Sequence, residues 1–214
     1  MNEGTRFDLL YDTMPWHKVD TVVFDIGNVL IRFAPDDFLQ RLFPGDPDKQ
    51  RSMLRQVYQG KYWPEFDRGT IEYEEAARRL EQEFGGCYAD YMHAITGWIE
   101  LKTPIEEGWN AARRCRRAGK RLLLLSNYHR VAYARLREKF SGLFEIFDGG
   151  VISCDLHHNK PEPEIYAALI EKYALTPGRT LFIDDTLANV EGAMRMGIHG
   201  FHMHESGMMD RFFL

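Results

Sequence analysis

Asp25, Ser126, Asn127, Lys160, Asp184 and Asp185 stand in this order along the chain, and most of them directly follow an apolar run. Thr21-Val22-Val23-Phe24 leads into Asp25, Leu122-Leu123-Leu124-Leu125 into Ser126-Asn127, and Thr180-Leu181-Phe182-Ile183 into Asp184-Asp185. Short β-branched or aliphatic runs of this kind read as buried strands. Gly27-Asn28 marks a turn just where the first acid emerges. In an open α/β sheet the carboxyl edge of the strands is where ligands bind, so an acid there can act as nucleophile, metal ligand or both. Three carboxylates meeting at one edge repel unless a cation compensates them, and a small set of hard oxygen donors suits Mg²⁺. Lys160 offers a point charge, while a serine hydroxyl beside backbone N–H groups can hold phosphate oxygens. The helix after Asp185 turns its positive end to the same edge. These parts suit in-line phosphoryl transfer, with an aspartyl phosphate as intermediate if a carboxylate attacks. Each residue alone has a plainer explanation, since strand-end Asp and Ser-Asn are ordinary turn chemistry. Their order, each after a strand, is what points to a site.

The elements that must position these residues alternate. Strands are expected near 21–25, 121–126, 148–153, 180–185 and 198–203, with helices near 105–118, 130–140, from Pro163, and near 187–196. Alternation of this kind implies a parallel, doubly wound sheet with helices on both faces. Between Ala34 and Lys102 strand signals vanish. Helices are expected over 36–43 and 48–58, then from an N-cap at Thr70 with Tyr73, Ala76, Ala77, Leu80 and Phe84 on one face, and again over the stretch carrying Tyr88, Tyr91, Met92, Ile95 and Trp98. The fold class is therefore α/β, a Rossmann-like core of residues 19–33 and 103–214 with an inserted helical block at 34–102. Residues 1–18 form an extension whose Phe7, Leu9, Leu10, Tyr11 and Trp16 can pack on the body.

The 214 residues suffice for one well-buried domain with an insertion, and 44% hydrophobic with 28% charged residues is an ordinary globular composition. A net charge of −5 argues against nucleic acid as a partner. The basic cluster Arg113, Arg114, Arg116, Arg117 and Lys120 reads as the solvated end of a helix, where positive charge complements the dipole. Cys87, Cys115 and Cys154 form no pair or metal motif, which suits a reducing compartment. The polar N-terminus lacks a signal-peptide core and no apolar run reaches the ~18 residues of a membrane span, so a cytoplasmic protein, monomeric or homodimeric, is expected. His157-His158 and His202-x-His204 lack a third partner at metal-site spacing and read as surface or satisfied histidines.

Phe24-Asp25-Ile26-Gly27-Asn28-Val29-Leu30, Leu125-Ser126-Asn127, Lys160-Pro161-Glu162-Pro163 and Phe182-Ile183-Asp184-Asp185 with Asn189 resemble the four motifs of the haloacid dehalogenase (HAD) superfamily. The flanking detail is similar to the subgroup of sugar-1-phosphate phosphatases and the N-terminal domain of soluble epoxide hydrolase. The resemblance implies that Asp25 is the nucleophile and a Mg²⁺ ligand, with Gly27 offering its carbonyl to the metal. Ser126 and Asn127 would bind the phosphoryl group, and Lys160 would neutralise it and orient Asp25. Asp184 would be the second carboxylate ligand, with Asp185 holding metal-bound water or Lys160. The helical block would be a cap, and the reaction hydrolysis of a small phosphorylated metabolite such as a sugar 1-phosphate. Metal-independent 2-haloacid dehalogenation, or a catalytically weak binding or regulatory protein, are the alternatives.

Gly27 departs from the family pattern, which places there a second Asp as general acid and base, a group worth ~10²–10⁴ in rate. Three consequences are open: a leaving group needing little protonation, such as an anomeric phosphate, which is preferred; an acid supplied by a residue of the cap, with Glu65, Asp67 or His129 as candidates; or a weak or non-catalytic protein. Lys61-Tyr62-Trp63-Pro64-Glu65-Phe66-Asp67-Arg68-Gly69 is the stretch expected to face substrate, although its aromatics could equally be the core of the cap.

Overall fold

The computed structural model describes residues 16–209. Five parallel strands form one sheet in the order β3-β2-β1-β4-β5: β1 Thr21–Phe24, β2 Arg121–Ser126, β3 Gly150–Ile152, β4 Thr180–Asp184 and β5 His199–His202. β1 is central. Its register pairs Phe24 with Leu124 on one side and Ile183 on the other, so Asp25 emerges level with Leu125 and Asp184. Side chains alternate across the pleat. Val22 and Phe24 pack with Trp109, Cys115 and Leu136 on one face, while Val23 packs with Ile165, Tyr166 and Leu169 on the other. Burying each such side chain stabilises the fold by ~1.5–3 kcal/mol, and burial on both faces explains the unbroken apolar runs.

The expected strands at 148–153 and 198–203 are shorter in the structure, because Ser153–Leu156 coils into a helical turn and β5 spans His199–His202. Between β1 and β2 the named elements among the described residues are all helical: Pro35–Leu42, Pro47–Met53 with a π-helical turn Leu54–Tyr58, Tyr62–Arg68, Tyr73–Phe84, Tyr88–Gly97 with a 3-10 turn Trp98–Leu101, and Glu106–Arg117, which leads back to the sheet. Thr70 does not cap the third of the expected helices. It ends the preceding one, its hydroxyl donating to Glu65 O at 3.2 Å, and the next helix begins at Tyr73. Phe84 is 49% exposed rather than buried with Leu80, since it sits in the last turn, where the helix leaves the core.

The segments joining the helical block to the sheet run side by side. Arg32 N donates to Thr103 O at 2.9 Å, and Ile105 N to Leu30 O at 2.8 Å. Gly108 is required where the next helix crosses this junction, because a Cβ there would lie 1.9 Å from Val29 O. Trp16 packs against the core with Lys120 Nζ 4.7 Å from its ring centroid. Phe7, Leu9, Leu10 and Tyr11 lie outside the described residues. Cys115 and Cys154 are buried and Cys87 is exposed. No helix among the described residues is long and apolar enough to cross a membrane.

Candidate active site

Asp25 leaves β1 into a tight turn in which Asn28 takes a left-handed conformation (φ 50°) and its N–H donates to Ile31 O at 2.8 Å. The Asn28 side chain fixes this turn: Oδ1 accepts from Phe33 N at 2.9 Å, and Nδ2 donates to Asp185 Oδ2 at 3.0 Å. The turn after β1 is thereby tied to the turn after β4. Asp184 is fully buried and its Oδ1 accepts from Thr186 N at 2.8 Å and Asn189 Nδ2 at 3.1 Å, as a carboxylate at a helix start does.

Lys160 reaches in from the loop after β3. Its Nζ lies 2.7 Å from Asp25 Oδ1, 2.6 Å from Asp184 Oδ2 and 2.9 Å from Leu125 O, which uses all three ammonium protons. Burial alone would drive the proton off. The neighbouring Asp184 and Asp25 outweigh it and hold the Lys160 pKa above its ordinary value. Burial pushes Asp184 up to about 7, against the pull of Lys160, and burial together with the Asp25 charge also raises Asp185. Carboxylate oxygens of Asp25, Asp184 and Asp185 all lie within 4.8 Å of one another. Once all three acids are ionised, they and the one ammonium carry two negative charges at an all-oxygen site, a donor set that fits a hard dication such as Mg²⁺.

Ser126, buried at the end of β2, and Asn127 stand beside this group. Asn127 uses its amide on the backbone of Lys160, accepting from Lys160 N at 2.8 Å and donating to Lys160 O at 3.0 Å. Its first task is therefore to hold the lysine loop.

Beyond Gly27 opens a cavity of about 80 Å³ whose wall includes Asn127, Trp63, Asp67, Trp98 and His129. Trp63 lines it, whereas Tyr62 and Phe66 from the same segment are buried within the fold. Of the candidate acids, Asp67 and His129 line this cavity and Glu65 does not. Three wall residues carried no sequence signal: Phe33, Tyr128 and Lys102. Lys102 is only 4% exposed and has no carboxylate partner among the described residues, and its Nζ lies 4.3 Å from the Trp98 ring centroid and 4.5 Å from that of Phe33. Burial drives its pKa down to about 7. The buried hydroxyl of Tyr128 has no hydrogen-bond partner either.

The two histidine pairs of the sequence, His157-His158 and His202-x-His204, are engaged. His157 Nδ1 donates to Arg68 O at 2.7 Å, His158 pairs with Glu162 at 3.2 Å, and His202 Nε2 donates to Asp185 O at 3.0 Å. From the basic cluster, Arg116 bonds to Ile146 O and pairs with Asp148 at 2.9 Å, structural work on one edge of the sheet.

A doubly wound parallel sheet that gathers three acids and a lysine at its carboxyl edge, beneath an inserted helical block, defines a Rossmann-like α/β protein of the HAD type. The chain belongs to the haloacid dehalogenase-like hydrolases, whose family pattern matches residues 19–197. It is similar to the sesquiterpene phosphatase astK of Aspergillus oryzae, 24% identical over 186 residues that make up 86% of this chain and 89% of that protein. It is also similar to the D-ribitol-5-phosphate phosphatase of Bacteroides thetaiotaomicron, 22% identical over 86% of this chain and 91% of that one. Among solved structures, a HAD family enzyme from the same bacterium, in complex with magnesium and inorganic phosphate, shares the fold with a TM-score of 0.67 at 20% identity, over 89% of this chain and 98% of that one.

Proposed function

We propose that this hydrolase is a Mg²⁺-dependent phosphomonoesterase acting on a small phosphorylated metabolite, a sugar phosphate, through an aspartyl phosphate on Asp25. The observation that carries the reading is Lys160 Nζ bridging Asp25 and Asp184, with Asp185 at hand. Lys160 binds one oxygen of Asp25 and leaves Oδ2, on the Gly27 side, to attack. Asp25, Asp184, Asp185 and the carbonyl of Gly27 would hold the metal, which when bound neutralises charge on the phosphoryl oxygens. Ser126 and the backbone beside it receive those oxygens, while Asn127 keeps Lys160 in register. Residues 34–102 serve as the cap over a core of 19–33 and 103–214, limiting the access of water to the cavity.

The walls support a sugar. Trp63, Trp98 and Phe33 present faces on which carbon–hydrogen surfaces can pack, and the unpartnered Tyr128 hydroxyl and Lys102 offer polar contacts for hydroxyl groups. Both relatives carry phosphatase names, which supports phosphate-ester hydrolysis, and one of them, named for a sugar-alcohol phosphate, supports the sugar class.

A phosphate-ester panel with wild type and Asp25→Asn, each with Mg²⁺ and with EDTA, tests the reading. Turnover should require both Asp25 and the metal. Haloacid hydrolysis that persists in EDTA would establish a metal-independent dehalogenase instead. No turnover of any ester would favour a binding or regulatory role.

A further inference from the structure

Gly27 leaves a functional gap. A Cβ built there meets nothing nearer than Asp25 Oδ2 at 3.8 Å, so packing does not exclude a side chain at this position. The space faces the cavity, and Asp67 stands on the same cavity wall as Gly27. Asp67 belongs to the helix Tyr62–Arg68, and that helix is fastened to the loop that carries Lys160. Arg68 pairs with Glu162, Asn159 Nδ2 donates to Pro64 O at 2.9 Å, and Ser153 Oγ donates to Asp67 O. Gly69 lets the helix end flush against that loop, since a Cβ there would come within 2.9 Å of Cys154 O. The helix position of Asp67 is therefore fixed relative to Lys160 and Asp25.

The carboxyl group of Asp67 has a buried imidazole beside it. His129 Nε2, buried and without a hydrogen-bond partner, lies 3.4 Å from Asp67 Oδ1. On the other side of the imidazole, Tyr73 OH is 3.2 Å from Nδ1. With Tyr73 donating to Nδ1, the ring carries its proton on Nε2, the nitrogen 3.4 Å from Asp67 Oδ1. Burial, reinforced by Lys102, lowers the His129 pKa to about 3, which keeps the ring neutral.

We infer that Asp67 is the general acid and base of this enzyme, supplied from the helical block in place of a residue at 27, and oriented by the Tyr73–His129 pair. The inference rests on the phosphomonoesterase reading. In the first half-reaction Asp25 forms a bond to phosphorus as the ester P–O bond breaks, and the Asp67 carboxyl proton passes to the departing oxygen. In the second, the Asp67 carboxylate takes a proton from water as the water oxygen bonds to phosphorus and the Asp25–phosphorus bond breaks. Inorganic phosphate and the alcohol leave, and both acids return to their starting forms. Burial lifts Asp67 to about 8, with Lys160 opposing and Asp25 adding to the rise, so the proton to be donated is in place near neutral pH. With an acid present the substrate need not be an anomeric phosphate, which removes the reason to prefer sugar 1-phosphates over other sugar phosphates.

Leaving-group dependence tests this. Wild type, Asp67→Asn and Asp67→Glu are compared on 4-nitrophenyl phosphate, whose phenolate departs without a proton, and on a sugar 6-phosphate, whose alkoxide does not. Asp67→Asn should lose ~10²–10⁴ in kcat on the sugar ester and less than ~10-fold on the aryl ester. Asp67→Glu, which keeps a carboxyl group, should recover part of the sugar-ester rate. Equal losses on both esters in a variant whose Tm matches wild type, or undiminished sugar-ester turnover in Asp67→Asn, would overturn the assignment alone. A wild type inactive on both esters would overturn the phosphatase reading and this inference with it.

Discussion

Asn127 grips Lys160 by its backbone: Oδ1 accepts from Lys160 N at 2.8 Å, and Nδ2 donates to Lys160 O at 3.0 Å. The pair joins the end of β2 to the loop after β3, so the position of the buried ammonium is set from outside the charge cluster. Asn127→Ala should therefore slow turnover by ~10-fold or more without abolishing it, and should cost ~1–3 kcal/mol of stability through the two backbone groups left unpaired. Steady-state rates and thermal melts check both. An unchanged kcat would show that the clamp does not position Lys160.

Lys160 itself compensates two acids. Lys160→Met leaves Asp25 and Asp184 facing each other without a counter-charge, a loss of ~3–5 kcal/mol expected for a broken buried pair. The loss should shrink as the pH falls and Asp184, already raised to about 7 by burial, takes up a proton. Melts from pH 5 to 8 would show the variant approaching wild type at the acid end. A deficit independent of pH would contradict this account.

Lys102 has the opposite sense. Its folded pKa, pushed down to about 7 by burial, lies below its unfolded value. Between about pH 7 and the ordinary lysine range the unfolded chain binds a proton that the folded chain does not, so stability rises with pH across that window. Lys102→Met, packed between Phe33 and Trp98, should raise Tm on the order of 5 °C near pH 7 and flatten this slope. The same variant should raise KM for anionic esters, because the ammonium lines the cavity. A lower Tm with the slope intact would contradict the prediction.

Burial holds Asp184 near 7 and raises Asp185 in the metal-free protein, so Mg²⁺ must displace protons there to bind. Mg²⁺ should bind more tightly at pH 8 than at pH 6, and its stabilisation of the fold should grow over the same interval. Titration calorimetry in buffers of different ionisation heat reads the released protons directly. Affinity independent of pH would place the metal elsewhere.

What the sequence disclosed depended on how local the cause was. β1, β2 and β4 are buried on both faces, so their apolar runs marked strand and turn, and their parallel register puts Asp25, Leu125 and Asp184 at one level. Thr70 misled because a hydroxyl suits either end of a helix, and a contact to Glu65 O decided which. Phe84 misled because helical periodicity continues past the last turn that meets the core. Lys102, and the Asp67–His129 pair separated by 62 positions along the chain, were less legible still. Their roles arise from the cavity wall, where the helical block and the sheet come together, and no periodicity in the sequence records that meeting.

On the proposed mechanism Asp25 takes the phosphoryl group. Wild type and Asp25→Asn are incubated with Mg²⁺ and a phosphate ester labelled on phosphorus, quenched in acid within milliseconds, and digested. The label should appear on the wild-type peptide containing Asp25, should be lost on treatment with hydroxylamine, and should be missing from Asp25→Asn. Turnover by wild type with label on another residue, or undiminished turnover by Asp25→Asn, would contradict the account.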